Sequence, residues 1–178
     1  MFKVAILGPE STGKSALAKS LADHYNAPWI PEYAREYVEN LTVPYTYEDV
    51  CIIAKKQIEQ EKEFENTMNI NSNYVFFDTE LIITKVWLEH KYKVVPSFIT
   101  KRLKEAFFDI YLLCAPDIPW EPDSVREHGD DREFFFHWYK KEIENIGKPF
   151  FVINGLGNKR LENAIASLNF KQQILDYE

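Results

Sequence analysis

Gly8-Pro9-Glu10-Ser11-Thr12-Gly13-Lys14-Ser15 fits the pattern G-x-x-x-x-G-K-[ST] of a phosphate-binding loop, the Walker A motif. Ordinary residue usage makes a chance match on the order of one in a hundred for a chain of this size, so the flanks decide. Before the loop, Val4-Ala5-Ile6-Leu7 is a short apolar run, as expected of a buried parallel strand. After it, Ala16, Leu17, Leu21 and Ala22 recur at helical spacing, with Lys19 and Asp23 on the opposite side. Strand, glycine loop and helix is the setting that the chemistry requires. Gly8 and Gly13 let the backbone N–H groups of the loop, Glu10, Ser11 and Thr12 included, curl around phosphate oxygens at a helix N-terminus. Lys14 is placed to reach the outer phosphates, and the Ser15 hydroxyl to ligate Mg²⁺. Nucleotide binding, with ATP and Mg²⁺ as cofactors, is the expectation.

Further out, the chain alternates between the two periods. Pro28-Trp29-Ile30-Pro31 is extended, because residues before proline avoid the helical region. Glu32–Val38 reads as a short helix, and a longer one runs from Thr46 or Tyr47 to about Met68, followed by a polar turn over 69–73. Tyr74-Val75-Phe76-Phe77-Asp78 is a buried strand ending in a carboxylate, followed by helices at about 80–91 and 97–107. Ile110–Cys114 is a further strand, 131–146 a helix, Phe150–Ile153 the last strand, and a final helix begins after 158. This is the pattern of a three-layer α/β domain: a parallel sheet flanked by helices, adenylate-kinase-like, within one domain over 1–178. Catalytic groups belong at the carboxyl ends of its strands.

That rule singles out two carboxylates. Asp78 suits a Walker B ligand of Mg²⁺, although Asp-Thr before a helix is also a good N-cap. Glu32 follows the short extended piece in an equivalent position, as a general base for an attacking hydroxyl or as an exposed first-turn glutamate. The segment from Pro116 to Arg132 contains Trp120, Asp123, Arg126 and Arg132 and is longer than a simple connection. A lid bringing arginines to a transferring phosphoryl group would have this composition, and so would a solvated acidic loop. Trp87, among Leu81, Ile83 and Val86, reads as core. The four histidines form no metal spacing.

Composition bounds the rest. The net charge of −7 argues against a nucleic-acid-coating role. Cys51 and Cys114 lack metal-type spacing and suit a reducing compartment. No apolar run approaches membrane-spanning length, and a first strand starting at Phe2 leaves no room for a signal peptide. The expected location is the cytoplasm, with a small-molecule partner and neither nucleic acid nor membrane.

The segments GPESTGKS, EYAREYV (Glu32–Val38), FFDTELIIT (Phe76–Thr84) and PWEPDSVREHGDDREF (Pro119–Phe134) resemble the ribosylnicotinamide kinase domain of bacterial NadR-type proteins, an AAA-like P-loop kinase, over nearly the whole chain. Ser124 stands where that family commonly has glycine. The resemblance implies phosphorylation of the 5′-hydroxyl of nicotinamide riboside by ATP, a step of NAD biosynthesis. It also implies a stand-alone kinase, since no H-x-G-H motif of an adenylyltransferase is present. A substrate with a permanently cationic ring and a ribose diol asks for aromatic faces and carboxylates. Glu32, Tyr33, Arg35, Glu36, Tyr37, Trp120 and Asp123 are the candidates. A kinase for another nucleoside or small metabolite, or a regulatory P-loop NTPase acting on a protein partner, is the alternative. A guanine-specific switch is disfavoured by Leu161 where N-K-x-D needs Asp.

Overall fold

The computed structural model describes residues 1–66, 72–123, 126 and 129–176, the last few of these for backbone only. Among them five strands form one sheet: β1 (Phe2–Leu7), β2 (Trp29–Ile30), β3 (Tyr74–Asp78), β4 (Ile110–Cys114) and β5 (Phe150–Ile153). All pairings are parallel and the order is β2-β3-β1-β4-β5. Among the described residues seven helices connect or flank them: α1 (Lys14–Tyr25), α2 (Tyr33–Glu39), α3 (Tyr47–Glu65), α4 (Leu81–Tyr92), α5 (Ser97–Lys104), α6 (Arg132–Ile146) and α7 (Asn158–Asp176). The expected three-layer architecture is present.

Alternation along β1 builds both cores, because successive side chains leave a strand on opposite faces. Val4 and Ile6 pack with Leu17, Leu21, Ala164 and Leu168 of α1 and α7. Ala5 and Leu7 pack with Ile82, Val86, Phe135 and Ile143 of α4 and α6. A smaller cluster of Val50, Ala54, Leu81, Leu88 and Ile99 joins α3, α4 and α5. The wall of α3 and α4 that lines the cleft therefore stands on its own apolar contacts.

One boundary differs from the sequence expectation. The fifth helix stops at Lys104 rather than near 107, with Ala106 in the left-handed region at φ 49°. Phe107 and Phe108 leave the helix to pack edge-on against Phe77 in the core. Burying a phenylalanine stabilises by about 1.5–3 kcal/mol, more than another helical turn adds at the surface. The third helix is described to Glu65, and Met68 and the turn residues 69–71 lie outside the described residues. So does Ser124. At the start of α3, Thr46 and Asp49 form a capping box, and Asp49 also accepts the Tyr37 hydroxyl at 2.8 Å. One carboxylate thus ties α2 to α3.

Candidate active site

The loop between β1 and α1 sits at the carboxyl edge of the sheet, at the centre of the strand order. Gly8, at φ 152°, backs onto the end of β4: a Cβ there would meet the Cys114 carbonyl at 2.8 Å and the Thr12 hydroxyl oxygen at 2.8 Å. Only glycine fits so close an approach. The Thr12 hydroxyl donates to the Pro9 carbonyl at 2.8 Å, and Lys14 Nζ donates to the same carbonyl at 2.9 Å. The lysine is parked on its own loop, one short swing from where phosphates would lie.

Asp78 ends β3 alongside. Burial raises its carboxyl above the ordinary range, while the Ser15 hydroxyl hydrogen-bonds to it and Lys14 and Arg35 pull it back down. Its Oδ1 is buried and has no hydrogen-bond partner. Asp78 does not cap the following helix, because Glu80 does so by accepting the Ile82 N–H at 2.9 Å. Among the described residues no group of three His, Cys, Asp or Glu converges. An orphaned carboxylate oxygen beside a serine hydroxyl is a hard oxygen pair, which fits Mg²⁺ that takes its remaining ligands from water and phosphate.

Glu32 is the N-cap residue of α2, yet its side chain makes no capping bond. It turns instead into the cleft with Lys14 and Arg35. Burial is the main cause that pushes its carboxyl up; Lys14 and Arg35 oppose this, and Asp78 and Asp123 add to it. A carboxylate held in this way is a stronger base than an exposed one. Arg35 donates to Asp123 at 3.3 Å, and Asp123 also pairs with Arg126 Nε at 2.9 Å. This triad joins α2 to the segment over 116–132.

That segment is docked on the phosphate loop. The Glu121 N–H donates to Ser11 Oγ at 3.0 Å, and Ile118 Cδ1 lies against Gly13. Arg132 donates to the Ile118 carbonyl at 2.7 Å and the Ser11 carbonyl at 3.4 Å. Its Nε is buried without a partner. At the root, Asp117 accepts the Gly155 N–H at 2.6 Å and pairs with Arg160, which also donates to the Ala115 and Ile153 carbonyls.

The cleft opens into a cavity of about 460 Å³ running from residues 8–16 to an aromatic end. Lys14, Glu32, Arg35, Asp123 and Arg126 line it, as the sequence placed them. Tyr33, Glu36 and Tyr37 do not: they border a separate recess of about 210 Å³ on the outside of α2. A seven-residue helix cannot turn one face to two sites. Trp120 also stays out, its indole lying so close over Gly129 that a Cβ there would come within 3.0 Å. The aromatic lining comes instead from Tyr45, Trp87, Phe135 and Tyr139. Trp87, expected in the core, does both: it packs on Phe135 and faces the cavity. Sequence offered one signal for this, since α4 is apolar nearly all round and such a helix must cover something on each side.

The sequence pattern of the AAA domain family matches residues 3–160. The chain belongs to that family. The Trifunctional NAD biosynthesis/regulator protein NadR of Escherichia coli (strain K12) is 27% identical to the chain over 166 residues, covering 89% of this chain and 38% of that protein. The NadR of Salmonella typhimurium is 28% identical over 141 residues, covering 74% and 33%. The chain thus spans well under half the length of these relatives. A solved NadR protein in complex with NAD and AMP-PNP superposes with a TM-score of 0.68 at 25% identity, over 94% of this chain and 48% of that one. The deoxyadenosine kinase from M. mycoides with bound dATP shares the fold alone, with a TM-score of 0.57 at 18% identity over 94% and 99%. The resemblance to NadR-type proteins and the P-loop kinase fold are therefore borne out for this AAA domain. Among its described residues no helix is long and apolar enough to cross a membrane.

Proposed function

We infer that this AAA domain is an ATP-dependent phosphotransferase for a small nucleoside-like alcohol, and that the acceptor is nicotinamide riboside. The observation that carries this is the position of Glu32. A half-buried carboxylate that makes no capping bond lines the same cavity as the phosphate loop and the aromatic walls, near Lys14 and Asp78. Such a cavity can bind a flat ring, and the carboxylate can then meet the hydroxyl attached to it.

In this mechanism the loop amides and Lys14 bind the triphosphate, and Ser15 and Asp78 are the residues that would hold Mg²⁺. Bound there, the cation would neutralise charge on the phosphate oxygens. Glu32 takes the proton of the acceptor hydroxyl as its oxygen bonds to the γ-phosphorus. The bond to the leaving oxygen of ADP breaks, and the proton leaves through Glu32. Arg126 faces the cavity and complements the equatorial oxygens. Arg132, held by two backbone carbonyls, keeps the lid against the phosphate loop. NadR proteins supply the substrate class: one has been solved in complex with NR, at a TM-score of 0.71 and 23% identity, where likeness shows fold alone.

The test is ADP release from Mg²⁺-ATP with nicotinamide riboside, uridine, cytidine, thymidine and adenosine. The expected outcome is the highest kcat/KM for nicotinamide riboside. A neutral nucleoside with equal or greater kcat/KM would replace it as the acceptor, and ADP release independent of any acceptor would favour a regulatory NTPase.

A further inference from the structure

Lys91 has no place in the mechanism above, yet it sits on the two rings that end the cavity. It lies one helical turn beyond Trp87 on α4. Its ammonium is 3.9 Å from the centre of the Tyr45 ring, 5.5 Å from that of Trp87 and 5.8 Å from that of Tyr92. Tyr45 and Trp87 contact each other with centroids 6.1 Å apart. Both rings line the cavity, and Lys91 does not. The lysine is exposed and makes no ion pair among the described residues. Its charge is therefore held on two rings that also line the site.

We propose that Lys91 sets the charge preference of the acceptor pocket, resting on the reading of this cavity as the acceptor site. An aromatic ring attracts a cation through the negative potential of its face. When an ammonium already occupies one side, a second cation on the other side gains the ring attraction but meets the repulsion of the first across the ring's thickness. A neutral ring of the same shape meets no such opposition and stacks as before. Lys91 thus weakens binding of a cationic acceptor selectively, and moderates the affinity for a charged ring that two aromatic walls would otherwise hold tightly. Screening at this exposed position limits the effect to about five- to tenfold.

The second possible role of Lys91 is mechanical: it pins the Tyr45 loop against α4. The two roles separate on a matched pair of acceptors. Oxidised nicotinamide riboside is a cation and its dihydro form is neutral with nearly the same outline. Lys91→Gln should raise the ratio of kcat/KM for the cationic over the neutral form about fivefold or more, and Lys91→Arg should keep the wild-type ratio. The ratio is informative whichever acceptor the wild type prefers, so a neutral favourite would overturn the acceptor assignment and leave this inference standing. If neither form is turned over, the same ratio is read by titrating Trp fluorescence with 1-methylnicotinamide and with nicotinamide. An unchanged ratio in Lys91→Gln, or equal losses for both partners of a pair, would overturn the proposal and leave Lys91 as a tether of Tyr45.

Discussion

The phosphate end of the cleft is lined by residues 8–16, with Asp78 beside Ser15 and Lys14, whereas the cavity beyond it takes Tyr45 from a loop, Trp87 from α4, and Phe135 and Tyr139 from α6. The first end is mostly backbone, shaped by two glycines and a helix start, so its chemistry is local in the chain. The second is mostly side chains brought together by packing, and no short stretch carries it. A contiguous motif tolerates little change, while dispersed walls can be refitted one residue at a time. Catalysis should therefore fail sharply at one end and selectivity drift gradually at the other.

The largest effect is expected at Lys14. Lys14→Ala should lower turnover by on the order of a thousandfold or more, because it removes the cation that the phosphate loop itself fixes at the transferring phosphates. Circular dichroism should remain that of the folded protein. Turnover within tenfold of wild type would remove the sharp end of the comparison.

Glu32 stands where the two ends meet. Glu32→Gln should reduce turnover about a hundredfold or more, the loss expected when a general base is removed. The pH profile gives a second check. Burial raises this carboxyl, so kcat/KM should fall as pH drops through a value above the usual carboxylate range, since only the deprotonated form accepts the proton. That acid limb should vanish in Glu32→Gln; if it persists, another group is the base.

The lid arginines come next. Arg126→Ala should lower kcat by roughly tenfold or more with little change in ATP affinity, because complementarity to the transition state is lost selectively. Arg132→Ala should instead loosen the lid, seen as faster proteolysis within 116–132. Loss of ATP affinity alone in Arg126→Ala, with kcat at saturation intact, would move that side chain from the reacting centre to the ground-state complex.

The smallest changes belong to the aromatic end. Trp87→Ala should raise the KM for the acceptor about tenfold, as expected for losing one stacked ring, and leave the KM for ATP unchanged. Trp120→Ala should change either constant by no more than about twofold, the small effect usual for a surface substitution. Equal losses at the two tryptophans would mean that the lid swings its indole into the cavity when substrates bind.

Legibility followed the same divide. β1, β3 and β4 announced themselves because strands buried on both faces read as unbroken apolar runs; the P-loop and Asp78 followed from the ends of β1 and β3, and Glu32 from the end of the short extended piece that is β2. The acceptor candidates on α2 split, because a helical turn sends Tyr33 and Glu36 outward when Glu32 and Arg35 point inward. Trp87 was hidden by its neighbours, since a cavity wall and a core wall have the same composition on a helix. The cap at Glu80 escaped because Thr79 adopts φ 70° and shifts the helix start past Asp78, and that conformation is rare outside glycine.

The central position of β1 has a consequence for how the chain reaches this state. Val4 pairs with Phe76 on one side and Ile110 on the other. The strand that is synthesised first waits for two partners that leave the ribosome much later, and parallel pairings at such separation form slowly. Until β4 emerges, one edge of β1 is open to mispairing with other chains. The Cys114 carbonyl that Gly8 leans on arrives at the end of that interval, so nascent chains halted before residue 110 should be retained poorly by an immobilised nucleotide.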